Sequence, residues 1–360
     1  MTAAGPAVVI AGGGTGGHLF PGLALADELR ARGCTVTFVG TAAGIEAREV
    51  PAAGYPLRLV PGRQLRGGGL LRAAAGVVAA IQGAAHCRAL LAELRPQLVV
   101  GVGGYASVAA VLAARLRGTP TILLEQNAIP GAANRLLGRV ARRVCVGFEA
   151  TVQRFPPGRA VFTGNPIRKS ILAGAARPTG APPGVLVFGG SQGAHRLNAA
   201  MLDAACLLGP VGQRLTIVHQ TGRDDIEEVR AGYARLGISA RVEPFIADMA
   251  AAYAAADVAL SRAGAMSCAE LTATGVPSIL VPYPHAADDH QRFNAEVLVA
   301  AGAAEMILDK DLTGDRLASA LGPLLEDPSR RAMMAAAARN LGRPQAAHHV
   351  ADECLSLLRP

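Results

Sequence analysis

Short aliphatic runs alternate with longer amphipathic segments along the whole chain. In the first half Ala7–Ile10, Thr35–Val39, Leu98–Val102, Thr121–Leu124 and Val144–Val146 read as strands, with helices expected near 19–33, 70–94, 105–117 and 130–140. In the second half Val185–Phe188, Leu215–His219, Ala240–Pro244, Val258–Leu260 and Ser278–Val281 read as strands. Helices are expected there near 195–207, 223–236, 247–255, 265–274, 289–301 and 313–324. Apolar runs of this length fit strands covered on both faces, and their alternation with helices predicts parallel sheets. One pattern occurs twice: a strand enters Gly12–His18 and then a helix, and a second strand enters Gly189–His195 and then another. Strand, glycine turn and helix open a nucleotide-binding parallel sheet, so two Rossmann-like domains are expected.

Length agrees with this, because 360 residues exceed one ordinary core. Thr163–Pro166 is the best linker, which gives domains at 1–164 and 165–345, with a last helix at 346–358 returning to the first. Hydrophobic residues make up 51%, much of it alanine, and the longest apolar run, Ala73–Ile81, falls far short of the roughly 20 residues that span a bilayer. No signal peptide is read at the N-terminus. The six cysteines are scattered without metal-ligand spacing and read as buried thiols of a reducing compartment. Charge is uneven: residues 1–165 carry 17 Lys+Arg against 7 Asp+Glu, and the rest carry 18 against 20. A basic first half suits an anionic partner, either phosphate or an acidic membrane surface. With 4% aromatics and no Trp, stacking platforms for nucleic acid are not expected.

Gly12–Gly17 matches both a dinucleotide and a P-loop spacing but fails both contexts. His18-Leu19 stand where a P-loop needs Lys and a hydroxyl, and the second strand ends Val39-Gly40-Thr41 without a carboxylate for a ribose. The glycines serve either a tight turn or a loop that brings backbone N–H groups to a ligand at a helix N-terminus. His18 at its tip is either structural or a base, and the positive helix end favours the neutral imidazole that a base requires. Gly103-Gly104-Tyr105 offers a second anion loop or a plain turn. Glu125-Gln126-Asn127 lies at the carboxyl end of a strand, where ligands bind open α/β sheets, or else Asn127 caps the next segment. In the second half Gly189–Gly193, with the Ser191 hydroxyl, suits a leaving diphosphate. Ser261–Glu270 carries a turn and a helix start, with Glu270 placed to accept two ribose hydroxyls or merely to cap the helix. Tyr283–Asn294 is rich in groups suited to sugar hydroxyls; His285, Asp288, Asp289 and His290 have no separated partner cluster, so no metal is expected. The Arg63–Arg95 segment mixes arginines with Leu70, Leu71 and other apolar residues that are core or a bilayer-facing surface.

Gly13–His18, Gly103–Tyr105, Glu125–Asn127, Gly164–Arg168, Gly189–Ala194, Ser261–Ala265 and His290-Gln291 occur in the order found in one group of GT-B glycosyltransferases. Over nearly its whole length the chain resembles this family, whose members add N-acetylglucosamine to the lipid-linked precursor of peptidoglycan. The resemblance implies two Rossmann-like domains facing a cleft, UDP-N-acetylglucosamine as donor and undecaprenyl-diphosphate-linked N-acetylmuramoyl-pentapeptide as acceptor. It implies inversion in a single displacement without metal or other cofactor, at the cytoplasmic face of the bacterial cell membrane. By motif, the donor contacts Thr15, Gly16, Gly17, Asn127 and Arg168, and Ser191 meets the diphosphate. The backbone at Ile246 reads uracil. Ala265, Met266, Ser267, Cys268, Ala269 and Glu270 hold phosphate and ribose, and Gln291 holds the sugar. Gly103, Gly104 and Tyr105 take the acceptor diphosphate, and His18 is the candidate base. The rivals are a related GT-B enzyme with another acceptor and a nucleotide-binding regulator without turnover.

Overall fold

The structure is a computed structural model and describes residues 5–61, 83–174, 182–190 and 192–358. Ser191, Arg63, Arg66, Leu70, Leu71 and Arg72 therefore lie outside the described residues, as does the first part of the helix expected over 70–94. The chain forms two compact units, residues 1–168 with 345–360 and residues 169–344.

The first unit contains β1 (Ala7–Gly12), α1 (Gly16–Ala31), β2 (Thr35–Gly40), α2 (Glu46–Ala52), β3 (Leu57–Leu59) and α3 (83–94). It continues with β4 (Leu98–Gly103), α4 (Tyr105–Leu116), β5 (Thr121–Glu125), α5 (Ala132–Leu137), β6 (Arg143–Val146) and β7 (Ala160–Phe162). All strands pair in parallel, in the order β3-β2-β1-β4-β5-β6-β7. Alternation along β1 splits the core. Val8 and Ile10 pack with Leu25, Leu29 and Phe38 on one face, while Val9 and Ala11 pack with Leu91, Ala106 and Ala110 on the other. Both faces are dry, as parallel strands require.

The second unit contains α6 (Lys169–Leu172), β8 (Gly184–Phe188), α7 (His195–Leu207), α8 (Gly209–Gly212), β9 (Thr216–Gln220), α9 (Ile226–Leu236) and β10 (Ala240–Glu243). Then follow α10 (Met249–Ala254), β11 (Val258–Ser261), α11 (Ala265–Thr274), β12 (Ser278–Leu280), α12 (His290–Ala300), β13 (Ala304–Met306), α13 (Gly314–Glu326) and α14 (Pro328–Leu341). Its parallel sheet runs β10-β9-β8-β11-β12-β13. The final helix, α15 (Ala346–Ser356), belongs to the first unit, where Val350, Ala351 and Cys354 join the α1 core and Arg32 bridges Glu28 and Asp352.

Three expectations change. Thr163–Pro166 is no loose linker: Thr163 and Asn165 are buried in the first unit, and the Asn165 amide donates to the Gln126 carbonyl at 2.9 Å. The segment 130–140 shortens to α5. Cys206, at the end of α7, is exposed, whereas the other five thiols are buried. Helix α14 had no expected counterpart; Asp327 caps it by accepting the Ser329 and Arg330 N–H groups, with Pro328 at the first turn.

A buried chain of hydrogen bonds crosses the second core. The Asn198 amide nitrogen donates to the Thr221 carbonyl and to Asp225, so its oxygen faces His219 and accepts from Nε2–H at 3.0 Å. Nδ1 then accepts from the Tyr233 hydroxyl at 2.9 Å. Burial drives the His219 imidazole down to about 3, against a small opposing pull from Asp225. The unfolded chain thus takes up a proton that the folded chain refuses. Stability is lost as pH falls from about 6.5 toward about 3, at no more than about 1.4 kcal/mol per pH unit. Urea midpoints should fall between pH 7 and 5 in the wild type. His219→Gln should start less stable but show a flatter pH dependence; parallel pH profiles would remove His219 as the cause.

Candidate active site

In the first unit, three consecutive glycines leave β1 with φ of 140°, 141° and 85° at Gly12, Gly13 and Gly14, a path closed to residues with a Cβ. Helix α1 starts at Gly16, earlier than the pattern suggested. Gly16, Gly17 and His18 therefore form its first turn, and His18 is not at a loop tip. The Gly16 and Gly17 N–H groups have no partner within the helix, as at any helix start. The imidazole of His18 packs against Gly103, where a Cβ would stand 2.6 Å from Cδ2. Its Nδ1 is 3.4 Å from Thr15 Oγ1. A Cβ on Gly104 would meet the Gly13 carbonyl at 2.7 Å, so the two glycine turns touch backbone to backbone. A cavity of about 410 Å³ opens there, lined by Gly14, Thr15, His18, Thr41, Glu46 and Tyr105.

Glu46 was not anticipated. It follows β2 by six residues, is buried, and accepts the N–H of Gly14 at 2.7 Å and both the N–H and hydroxyl of Thr41 at 2.9 Å. The Gly13 N–H donates to the Gly103 carbonyl at 3.2 Å. Two of the loop amides expected to face a ligand are thus committed internally.

At the end of β5, burial raises the Glu125 carboxyl above its ordinary range, even though it accepts from the Asn127 N–H, Asn134 and the Gly131 N–H. Asn127 is half-buried beside it. Gln126 points inward and donates to the Val102 carbonyl. The Arg168 guanidinium stacks 4.7 Å over the Phe20 ring of α1, with its Nε buried and without a hydrogen-bond partner.

In the second unit the turn after β8 is clamped to the turn after β9. Gln220 donates to the Gly190 carbonyl at 2.7 Å, and a Cβ on Gly193 would strike the Thr221 carbonyl. After β11, the half-buried Arg262 guanidinium donates to Asp309 at 2.6 Å and to the carbonyls of Val281 and Pro282, tying the β11 and β12 turns together. Asn294 donates to the Ala263 carbonyl. These contacts present the first turn of α11. Ala265 and Cys268 are buried, so Cys268 can offer a ligand only its backbone, while Met266, Ser267 and Ala269 are half-buried. Glu270 is largely buried and accepts from the Tyr253 hydroxyl at 2.9 Å. Ile246 is also buried, which restricts any contact with a base to its main chain.

Before α12, Asp288 and Asp289 both adopt φ of 51°, a strained conformation for residues other than glycine. Gln291 follows them. Its amide oxygen accepts the Tyr283 N–H at 2.9 Å, so the NH₂ group is the end that can donate. His290 faces the Ala287 carbonyl through Nδ1. Among the described residues, His195, Asp225 and Glu228 are the one group of carboxylate and imidazole ligands close enough to share a cation, and Asp225 already accepts from Asn198.

Residues 8–146 match the glycosyltransferase family 28 N-terminal domain, and residues 184–350 match the corresponding C-terminal domain. The UDP-N-acetylglucosamine–N-acetylmuramyl-(pentapeptide) pyrophosphoryl-undecaprenol N-acetylglucosamine transferase of Anaeromyxobacter dehalogenans is 48% identical over 98% of this chain and 93% of its own. The Myxococcus xanthus transferase of the same name is also 48% identical, with the same coverage. The crystal structure of Acinetobacter baumannii MurG superposes with a TM-score of 0.79 at 33% identity, over 98% of this chain and all of that one. The chain belongs to the MurG family of glycosyltransferases. Its two parallel-sheet units are the two domains of the GT-B fold on which MurG is built.

Proposed function

We propose that this chain transfers N-acetylglucosamine from UDP-N-acetylglucosamine to the muramoyl-pentapeptide carried on undecaprenyl diphosphate. The observation that carries this reading is full-length identity near one half to transferases of that name, on a scaffold whose glycine turns and helix starts suit two diphosphates. The second unit takes the donor. Glu270 accepts the ribose hydroxyls, the first turn of α11 and the Gly189–Gly193 turn with Ser191 meet the diphosphate, Ile246 reads uracil through its main chain, and Gln291 donates to the sugar. In the first unit Gly103, Gly104 and Tyr105 receive the acceptor diphosphate. Thr15, Gly16, Gly17, Asn127 and Arg168 line the approach to the reacting sugar. The acceptor hydroxyl attacks C1 as UDP leaves, inverting that centre. His18, whose Nδ1 lies 3.4 Å from Thr15 Oγ1, is the base that takes the acceptor proton. Backbone N–H groups and helix dipoles offset the charge on the departing diphosphate, so no metal is required.

The direct test is transfer from labelled UDP-N-acetylglucosamine to a short-chain lipid-linked acceptor in excess EDTA. Product should form at the rate seen without chelator. In calorimetry, Glu270→Ala should weaken UDP and UDP-N-acetylglucosamine alike, because the ribose is common to both, whereas Gln291→Ala should weaken only the sugar nucleotide. Activity that vanished with EDTA and returned with magnesium would refute the metal-free displacement, and unchanged UDP affinity in Glu270→Ala would refute the ribose contact.

The acceptor's polyprenyl tail requires a bilayer surface, and no helix among the described residues is long and apolar enough to cross one. Support for a peripheral site comes from the first unit. Helices α4 and α5 share one apolar cluster, yet Leu116, at the end of α4, is 77% exposed and Leu136 of α5 is 61% exposed. Arg115, Arg117, Arg135, Arg139 and Arg142 flank them, all exposed. Anionic headgroups contribute about 1 kcal/mol per nearby Arg, screened by salt, and the leucines add insertion. The protein should sediment with phosphatidylglycerol vesicles at low salt and release at high salt. Leu116→Ser with Leu136→Ser should bind less while keeping its circular dichroism. Wild-type protein indifferent to such vesicles would overturn the bilayer reading.

A further inference from the structure

Glu46 is an internal anion placed where a nucleotide-binding turn ordinarily offers its N–H groups to a phosphate. The side chain is 1% exposed and spans two elements, with Oε2 on the Gly14 N–H and Oε1 on Thr41 at the end of β2. Three glycines make room for it. A Cβ on Gly13, Gly40 or Gly44 would stand 2.4, 2.5 or 2.0 Å from Glu46 atoms. The path of Gly12–Gly14 is costly in backbone entropy, and charge-assisted hydrogen bonds of this length are strong enough to hold it. The same carboxylate lines the cavity shared by Thr15, His18 and Tyr105.

We infer that Glu46 is a positioning residue of the acceptor site: by holding Gly14 and Thr41 it sets the Gly12–Gly17 turn, and through the turn the aim of Thr15 and His18. It touches no reacting atom. Its charge also faces any anion entering the cavity, which opposes tight ground-state binding. Loss of that charge therefore relieves a repulsion while it loosens the turn. The two effects separate in kinetics: kcat falls and the acceptor KM does not rise with it.

This rests on the acceptor reading of the first unit. The experiment is steady-state transfer with the full chain, varying the short-chain lipid-linked acceptor and UDP-N-acetylglucosamine in turn. Glu46→Gln keeps the size and the Thr41 contacts but sets an amide donor against the Gly14 N–H. Its kcat should fall about tenfold to a hundredfold, the range expected for a misplaced catalytic group, with acceptor KM within about threefold and donor KM within about twofold of wild type. Thr41→Val, which removes only the hydroxyl contact, should show the same split with a kcat loss of about threefold; it carries the test alone if Glu46→Gln does not fold. Unchanged kcat in the folded variants overturns the role of Glu46. So does a loss that appears equally in donor KM, which would mark Glu46 as general scaffold. A wild-type enzyme that transfers nothing to the lipid acceptor overturns the acceptor reading instead.

Discussion

A parallel sheet buried on both faces leaves the irregular backbone of its turns at the ends of the strands, where amides and carbonyls must still find partners. At the carboxyl ends of both sheets, buried or half-buried polar side chains meet that demand. Glu46 holds the turn after β1, Glu125 the turn after β5, Asn198 the turn after β9, and the Arg262–Asp309 pair the turns after β11 and β12. Each is a polar group inside low-dielectric surroundings, where a satisfied hydrogen bond is strong and an unsatisfied one is costly. The turns are thereby fixed before any substrate arrives. Fixed dipoles aimed at developing charge are the form of catalysis that a displacement without metal depends on.

The two units use this device differently. In the second, the anchors are neutral amides or paired ions set behind the turns, so the N–H groups at the start of α11 keep their pull on a phosphate. In the first, the anchor is a carboxylate that consumes one of the turn's own N–H groups. What remains is the start of α1 at Gly16 and Gly17, with Thr15 and His18 beside it. The glycine pattern of a nucleotide site thus surrounds a pocket in which one backbone N–H is already held by a buried carboxylate.

The fold was largely legible in the sequence because the central strands are continuous apolar runs and each begins or ends at a glycine turn. Three of the four edge strands were not: β3, β7 and β13 have three residues each and, Ala304 apart, half-buried or exposed side chains, too short to show a period. Helix α14 was missed because alanine and arginine fill it without a clear apolar stripe. Candidate site residues in the first unit and at Ser191 came from glycine spacing, and the others from the family motifs. Their supports were not, because Glu46, Asn198 and Asp309 act through partners 32, 23 and 47 residues away, and local pattern carries no such information. For Glu46 a trace existed, since Gly40 and Gly44 bracket the approach to it with no turn that needs both. The cost of overlooking the supports was specific: the Gly12–Gly17 loop is read from sequence without the carboxylate that engages its Gly14 N–H.

Amide hydrogen exchange resolved to single residues distinguishes the held amides of the turn from the open ones. In the substrate-free enzyme, the Gly14 and Thr41 amides should be protected to a degree comparable with β1, while Gly17 exchanges freely and slows only when substrate is added. Rapid exchange at Gly14, equal to that at Gly17, would contradict the account.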